Sequence, residues 1–419
     1  MVQGNTTITV KVAGPAYGGF CLAKREGVVM LVSNAIPGET VAVKVNNYKN
    51  DFAFASVEKV LLPSPDRVEP ICPVFSECSG CHNQHITYSR QVSIKQEILS
   101  DCFKRVTLKH LDLSESLVGP DPWHFKYKGH FKLGNGRIGF ARADSSGILD
   151  IEGCKLMKSG VNALFGESKK IYRDSPKLFG GISDLYISSG DDGLALLKSS
   201  SGMSMARSKQ IGKLFLEAGF QGVCISIGKD SKVSFGKEYT TIDFNGIRYN
   251  ISPRSSIQGN WDLSRSVVSF LRQTLHSLKG KRVIVLYAGG NFSLPFAADG
   301  AEVYAVGNTE ETMNDLQKNA AANGIRNCRF ADCSLERLKV SDRADVMVIA
   351  SSGSELTSRA IEKIFTIDPD RIAYISCNPM MLSRDLSKLM GRYEIESMRI
   401  IDCFPQTYHV KSLAMLKLR

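Results

Sequence analysis

Eleven cysteines occur in this 419-residue chain, and three of them fall within the decapeptide CPVFSECSGC, as Cys72, Cys78 and Cys81. Five and two residues separate them, with Ser and Gly between, so three thiolates can converge on one metal centre. A closed site needs a fourth ligand, and Cys154 in DIEGC, after a strand-like run, is the candidate. Zinc and an iron–sulfur cluster both accept four thiolates, and spacing alone does not choose between them; the alternative is a set of independent buried cysteines. A further thiol, Cys377, closes the strand-like stretch IAYIS and precedes Asn378-Pro379, which forces a turn. An α/β sheet presents its catalytic groups at the carboxyl ends of its strands, so Cys377 is a candidate nucleophile. A small apolar filler at a strand end is the plainer account of it. The cysteine count is odd and MVQGNTTITVKVAG has no apolar export core, which argues against disulfides and for a cytoplasmic protein.

The elements that must hold these groups follow from the hydropathy pattern. TITVKV, GVVMLV, ETVAVKV and FAFASVEKVL alternate as short strands at about ten-residue spacing, which predicts a small β-barrel over residues 1–62. LLPSPDRVEPICP is an extended, proline-rich linker. Val92, Ile94, Ile98, Leu99, Phe103 and Val106 recur at helical spacing between Tyr88 and Lys109. From about 120 to 250, short apolar runs among Gly and Ser predict a mostly β segment, so that a central metal-binding β domain spans 63–245. Beyond it KRVIVLYA, EVYAV, ADVMVIA and RIAYISC alternate with helical patterns. This is the texture of a doubly wound, Rossmann-like α/β domain with a mostly parallel sheet over 246–419. The composition, 43% hydrophobic and 23% charged, excludes wholesale disorder, and no apolar run is long enough to predict a membrane span. A net charge of +11 favours a polyanionic partner. Lys126, Lys128, Arg137 and Arg142 form a basic stretch that could meet phosphate, with a solvated face as the blander alternative.

CPVFSECSGCHNQHITYSRQ together with DIEGC resembles the iron–sulfur signature of the RNA uracil-carbon-5 methyltransferases, S-adenosylmethionine enzymes that make 5-methyluridine in ribosomal and transfer RNA. The resemblance continues in order along the chain. GPAYGGFCLAKREGVVMLVSNAIPGETVAVKV is similar to the family's TRAM domain, an RNA-binding, OB-like barrel. SPRSSIQGN is similar to its Gln-containing cofactor motif, ISCNPMMLSRDL to its nucleophile motif and DCFPQTYHVKSLAMLKL to its C-terminal signature. The resemblance implies a 4Fe-4S cluster on Cys72, Cys78, Cys81 and Cys154, and a cofactor site that includes Gln258, Tyr287, Gly289 and Gly290. It also implies a monomer acting on rRNA or tRNA. Cys377 takes the nucleophile position: a thiolate adding to uracil carbon 6 makes an enolate whose carbon 5 can attack an electrophile. The base must first leave the RNA fold.

Four departures from the family pattern lie on one side of that site. Val285 stands where the glycine loop is preceded by an acid, and the loop is one residue short. Gly307 replaces the carboxylate that accepts from the ribose hydroxyls. Ala350, Ser351, Ser352 and Gly353 replace an Asp-Pro-Pro-Arg segment. Lys411, after His409-Val410, replaces the glutamate that removes the carbon-5 proton, and a protonated ammonium cannot accept one. Three functions suit the sequence: methyl transfer through a remodelled pocket, covalent uracil chemistry with another cofactor, or RNA binding without catalysis.

Overall fold

In a computed structural model of the chain, residues 7–49, 51–143, 147–228, 231–252, 260–287, 290–307, 310–339, 343–351 and 353–419 are described. Strands β1 (Thr7–Ala16), β2 (Phe20–Arg25), β3 (Val28–Ser33), β4 (Thr40–Lys49) and β5 (Phe52–Leu62) close a barrel in the order β1-β2-β3-β5-β4. The period-2 alternation turns Val10, Val12, Met30, Val32, Val41 and Val43 into its core. Glu39, fully buried at the start of β4, accepts both arms of the Arg67 guanidinium at 2.6 and 2.7 Å and the backbone N–H groups of Ile36 and Ser64. This fork fastens the proline-rich linker to the barrel.

Helix α1 (Tyr88–Thr107) leaves the linker and buries Ile94, Ile98, Leu99, Cys102 and Phe103 in the core of the C-terminal sheet. α1 falls within the expected 63–245 span, and its apolar stripe packs as a layer on the C-terminal α/β sheet. The central sheet comprises β6 (Lys128–Gly134), β7 (Arg137–Ala141), β8 (Ile148–Asp150), β9 (Ile182–Ser189), β10 (Gly193–Ser199), β11 (Gly222–Ile227) and β12 (Ser231–Gly236), in the order β12-β11-β10-β9-β6-β7-β8. Helices α2 (Ser159–Asp174) and α3 (Met205–Glu217) bury Val161, Phe165, Ile211 and Phe215 against one face of it, with Phe131, Leu185, Ile187 and Leu197. The expectation of a mostly β segment misses these helices, because small residues such as Ser168, Ser208 and Gly212 occupy part of their buried stripes.

A hairpin, β13 (Thr240–Phe244) and β14 (Ile247–Ile251), packs both strands on the C-terminal core, so the expected division at 245 falls at its turn. The last sheet holds β15 (Arg282–Leu286), β16 (Glu302–Gly307), β17 (Cys328–Asp332), β18 (Val346–Ser351), β19 (Arg371–Ser376), β20 (Tyr393–Ile400) and β21 (Ser412–Leu418), in the order β17-β16-β15-β18-β19-β21-β20. The first five strands are parallel and β21 runs antiparallel to both neighbours. Helices α4 (Trp261–Leu275), α5 (Gly290–Ala298) and α6 (Glu310–Ala322) cover one face, and α1, α7 (Ser358–Ile367) and α8 (Pro379–Leu389) the other. The β15 run Val283–Leu286 is buried on both faces, as a central parallel strand requires. Among the described residues no helix is long and apolar enough to cross a membrane.

Candidate active site and metal centre

Cys377 stands half-buried at the carboxyl end of β19, immediately before α8. Asn378 caps that helix, its side chain accepting from the N–H groups of Met380 (3.0 Å) and Met381 (3.2 Å), and Pro379 occupies the first helical position, where a missing N–H costs nothing. The sulfur is thus carried on a fixed strand-to-helix turn. The Tyr17 hydroxyl, from the loop after β1, donates to the Cys377 carbonyl at 3.4 Å.

The chain between β20 and β21 completes the site. Tyr408 packs edge-on to Tyr17 with centroids 6.3 Å apart, and lies 4.6 Å from the His82 ring and 4.4 Å from that of His409. Gly19, at φ +84°, lets the barrel loop approach; a Cβ there would stand 3.0 Å from the Tyr408 ring. The N–H groups of His82 and Asn83 both donate to the Gln406 carbonyl, at 2.9 and 3.0 Å. The amides of Gln91 and Gln406 complete the clamp, Gln91 Nε2 donating to Gln406 Oε1 at 2.9 Å while Gln406 N donates to Gln91 Oε1 at 3.0 Å. Beneath it, the Lys95 ammonium of α1 pairs with Asp402 at 2.7 Å and donates to the Phe404 carbonyl at 2.9 Å. Barrel loop, cysteine-rich segment and α1 therefore all grip the tail that faces Cys377.

Lys411 is only 8 % exposed, a burial the sequence does not reveal. It lies within electrostatic reach of Cys403, whose thiol is pushed up to about 11 by burial, with Lys411 opposing and Asp402 and Cys377 reinforcing the rise. Lys411 and Cys377 thus both act on Cys403. Among the described residues the Lys411 ammonium makes no hydrogen bond or ion pair.

The four predicted metal ligands lie in one region, at the edge of the central sheet. Cys78 bridges to Arg142 beside β7, and Cys154 follows β8, braced by Asn162 Oδ1 accepting from its N–H at 2.9 Å. Burial raises the thiols of Cys78, Cys81 (to about 11) and Cys154; repulsion from Cys72, Cys78 or Cys154 adds to the rise in each case, and Lys126 works against it. Four thiols within electrostatic reach of one another have the soft donor chemistry that zinc or an iron–sulfur cluster takes. Yet among the described residues no three His, Cys, Asp or Glu side chains are drawn close enough to hold a single ion. The basic stretch expected along this region is dispersed. Lys126 sits with the thiols, Arg142 pairs with Glu77 at 2.9 Å, Arg137 is exposed at the β6–β7 turn and Lys128 lines a cavity on the open face of the sheet.

The donor side differs. β15, β16 and β18 end on Leu286, Gly307 and Ser351, none an acid. A Cβ on Gly307 would lie 2.1 Å from Met313 Sδ, so the methionine of α6 fills the space a ribose-binding carboxylate would need. Tyr287 adopts φ +60°, a left-handed conformation unusual for an aromatic residue, and its hydroxyl accepts from the Leu335 N–H at 3.4 Å. Ser351 Oγ donates to the Ser354 carbonyl at 3.0 Å, and Asp385 accepts from the Leu356 N–H, closing the segment that replaces the acid and arginine. Among the described residues, these strand ends offer no carboxylate to the nucleoside of S-adenosylmethionine. Gln258 and Gly289 lie outside the described residues, and Gly290 begins α5. Tyr17, His82, Gln91, Lys95 and Tyr408 escape sequence reasoning as site residues, since each acts through a partner hundreds of residues away; the Gly18-Gly19 pair is the one local signal of a close approach.

Known proteins match this architecture. The family model for tRNA (uracil-5-)-methyltransferases matches residues 205–419, and the TRAM-domain model matches residues 2–57. The 23S rRNA (uracil(1939)-C(5))-methyltransferase of Shewanella amazonensis is 27% identical over 431 residues, covering 98% of this chain and 96% of that protein. An uncharacterized RNA methyltransferase of Halalkalibacterium halodurans is 27% identical over 450 residues, covering 100% of this chain and 98% of its own. Among solved structures, the Pyrococcus abyssi tRNA (uracil-54, C5)-methyltransferase in complex with S-adenosyl-L-homocysteine superposes with a TM-score of 0.76 at 20% identity, over 98% of this chain and all of that one. A five-stranded barrel, a methyltransferase sheet and a family model spanning more than half the residues converge on one assignment: the chain belongs to the tRNA (uracil-5-)-methyltransferase family.

Proposed function

We propose that this chain binds rRNA or tRNA, holds a 4Fe-4S cluster on Cys72, Cys78, Cys81 and Cys154, and engages a flipped uridine through a covalent adduct between Cys377 and uracil carbon 6. The observation that carries this is the placement of Cys377. It sits at the carboxyl end of a parallel strand, on a capped turn, where the barrel loop and the tail converge. Thiolate addition forms the Sγ–C6 bond and moves the ring's electron pair onto the enolate. The bound cluster would supply cross-linking of the segment that presents His82 and Asn83 to the tail.

In family members S-adenosylmethionine supplies a methyl electrophile to carbon 5. In this chain Gly307, blocked by Met313, and the Ser351 end of β18 offer it no anchoring acid. A charged hydrogen bond is worth about 1.5–3 kcal/mol, so two missing carboxylates weaken that ligand on the order of a hundredfold or more. The loss of a carboxylate at the base position, where Lys411 stands, supports a second reading, RNA binding without turnover.

Two measurements separate these. The protein is incubated with 5-fluorouridine RNA and resolved under denaturing conditions, and S-adenosylmethionine is titrated by calorimetry. An adduct that vanishes in Cys377→Ala, with no tight cofactor binding, supports the proposal. RNA binding without an adduct supports the second reading, and tight cofactor binding restores ordinary methyl transfer.

A further inference from the structure

The central sheet carries helices α2 and α3 on one face, and its opposite face has a different chemistry. Strand pairing aligns Lys132, Asp184, Lys198, Ser226 and Lys232 in one row across β6, β9, β10, β11 and β12. The next row holds His130 and Tyr186, followed by buried Leu196. The His130 and Tyr186 rings stack in parallel, 4.1 Å apart at 5°. The Lys198 ammonium stands 4.7 Å from the Tyr186 centroid. A cavity of about 480 Å³ opens over β9, β10 and β11, lined by Lys128, Asp184, Tyr186, Lys198, Ser199 and Ser226. β9 lies between β6 and β10, so His130 braces Tyr186 from one side, and from the other the Lys198 ammonium stands over the ring and donates to its hydroxyl at 3.3 Å, a contact it exchanges for a phosphate when a base stacks there.

We infer that this face is a binding site for a single-stranded segment of the RNA, with a base stacked beside Tyr186 in the cavity and the backbone following the Lys128, Lys198 and Lys232 side chains. Charge complementarity argues for this occupant: in these rows three lysines and a histidine accompany a single carboxylate, and Lys128 lines the same cavity from the row paired with Ser188. Asp184 is committed to His130 and Lys132, both at 2.6 Å, and so leaves the Lys198 side of the cavity basic. Aromatic rings on a strand face serve any base, because every base has a π-face. Lys128 is crowded as well: burial and then the neighbouring Lys198 push its ammonium down to about 8, with Asp315 opposing, an environment that a phosphate placed between the two lysines would relieve. The inference rests on RNA being the partner and does not depend on adduct chemistry.

The test uses the full-length chain in a Cys377→Ala background, so that no adduct contributes. A fluorescent single-stranded RNA of about a dozen nucleotides, enough to span a site of this kind, is titrated by anisotropy over a series of salt concentrations. Tyr186→Ala is expected to weaken binding about five- to a hundredfold. Lys198→Ala, an exposed change that leaves the fold intact, is expected to lower the log–log salt slope by about 0.7. Ultraviolet cross-links should map to the peptide carrying Tyr186. Unchanged affinity and slope in both variants would overturn the inference, as would competition by duplex RNA equal to that by single strands. If Tyr186→Ala misfolds, Lys198→Glu carries the same test, with at least a tenfold loss expected and an unchanged affinity counting against the site. Absence of an adduct in the Cys377-containing chain would defeat the proposed function and leave this result standing.

Discussion

The two halves of the candidate site lie on one sheet and have been treated differently. Around β19 the nucleophile is held by groups from the barrel, the cysteine-rich segment, α1 and the tail, all joined by contacts that cross large sequence distances. Around β15, β16 and β18 the donor side is built from short local loops, and its acids are gone. The difference is instructive. A residue tied into a buried network cannot change without stranding its partners, which costs several kcal/mol. A residue on a strand-end loop can change once a neighbour fills the space, as Met313 does at Gly307. Loss on the donor side has therefore not spread to Cys377.

The comparison breaks first at the metal ligands. Cys78→Ser or Cys81→Ser should bleach a brown anaerobic preparation, lower its iron and sulfide content and destabilise the central region. Because His82 and Asn83 hold Gln406, hydrogen exchange at residues 404–409 should rise at the same time. Retained colour with unchanged exchange would remove the metal from the account. Next in size is the pair beneath the tail. Lys95 and Asp402 are each only 1 % exposed, so Lys95→Met leaves a buried carboxylate unpaired and should cost about 3–5 kcal/mol in denaturant melts. A loss under 1 kcal/mol would show that the nucleophile side is no more tightly tied than the donor side.

Much of this was legible in the chain and some was not, for physical reasons. Period-2 alternation announced the barrel, the buried apolar runs announced the parallel sheet, and Cys377 could be placed because a strand followed by Asn-Pro has few ways to turn. Helices α2 and α3 stayed hidden because Ser168, Ser208 and Gly212 on their buried faces dilute the apolar period. The packing of α1 on the C-terminal sheet, and the convergence of Tyr17, His82 and Tyr408, are tertiary facts that no local pattern encodes. The four departures were visible as substitutions. What could not be seen was that Met313 fills the space at Gly307, or that Lys411 is buried.

The donor side can be probed by trying to rebuild it. Gly307→Asp alone should destabilise the fold by about 1–3 kcal/mol, because the new side chain overlaps Met313. Combining it with Met313→Ala makes room and returns one acceptor to the end of β16. If one charged hydrogen bond is regained, calorimetry should show S-adenosylmethionine binding strengthened about tenfold to a hundredfold over the parent chain. A stable double variant with no gain would mean that the losses at β15 and β18 already suffice to exclude the ligand.

The smallest effect separates filling from function on that same side. Asp385 is fully buried, accepts from the Tyr374 hydroxyl at 2.5 Å and from the Leu356 N–H at 3.1 Å, and so braces the segment that replaced the family's acid and arginine. Burial pushes its carboxyl up to about 6 from the ordinary 3.8, with Tyr374 and the Leu356 N–H pulling the other way. A carboxyl whose folded pKa is raised binds more protons in the folded than in the unfolded state between those two values. Its contribution is therefore present at low pH and declines as pH rises from about 4 through about 6. Asp385→Asn keeps a hydrogen-bonding side chain and removes the titration. Melts across that window should show the parent losing on the order of 1–2 kcal/mol relative to the variant as pH rises. Parallel curves would mean that Asp385 keeps one charge state throughout, and that its segment is held by packing rather than by a buried, partly protonated acid.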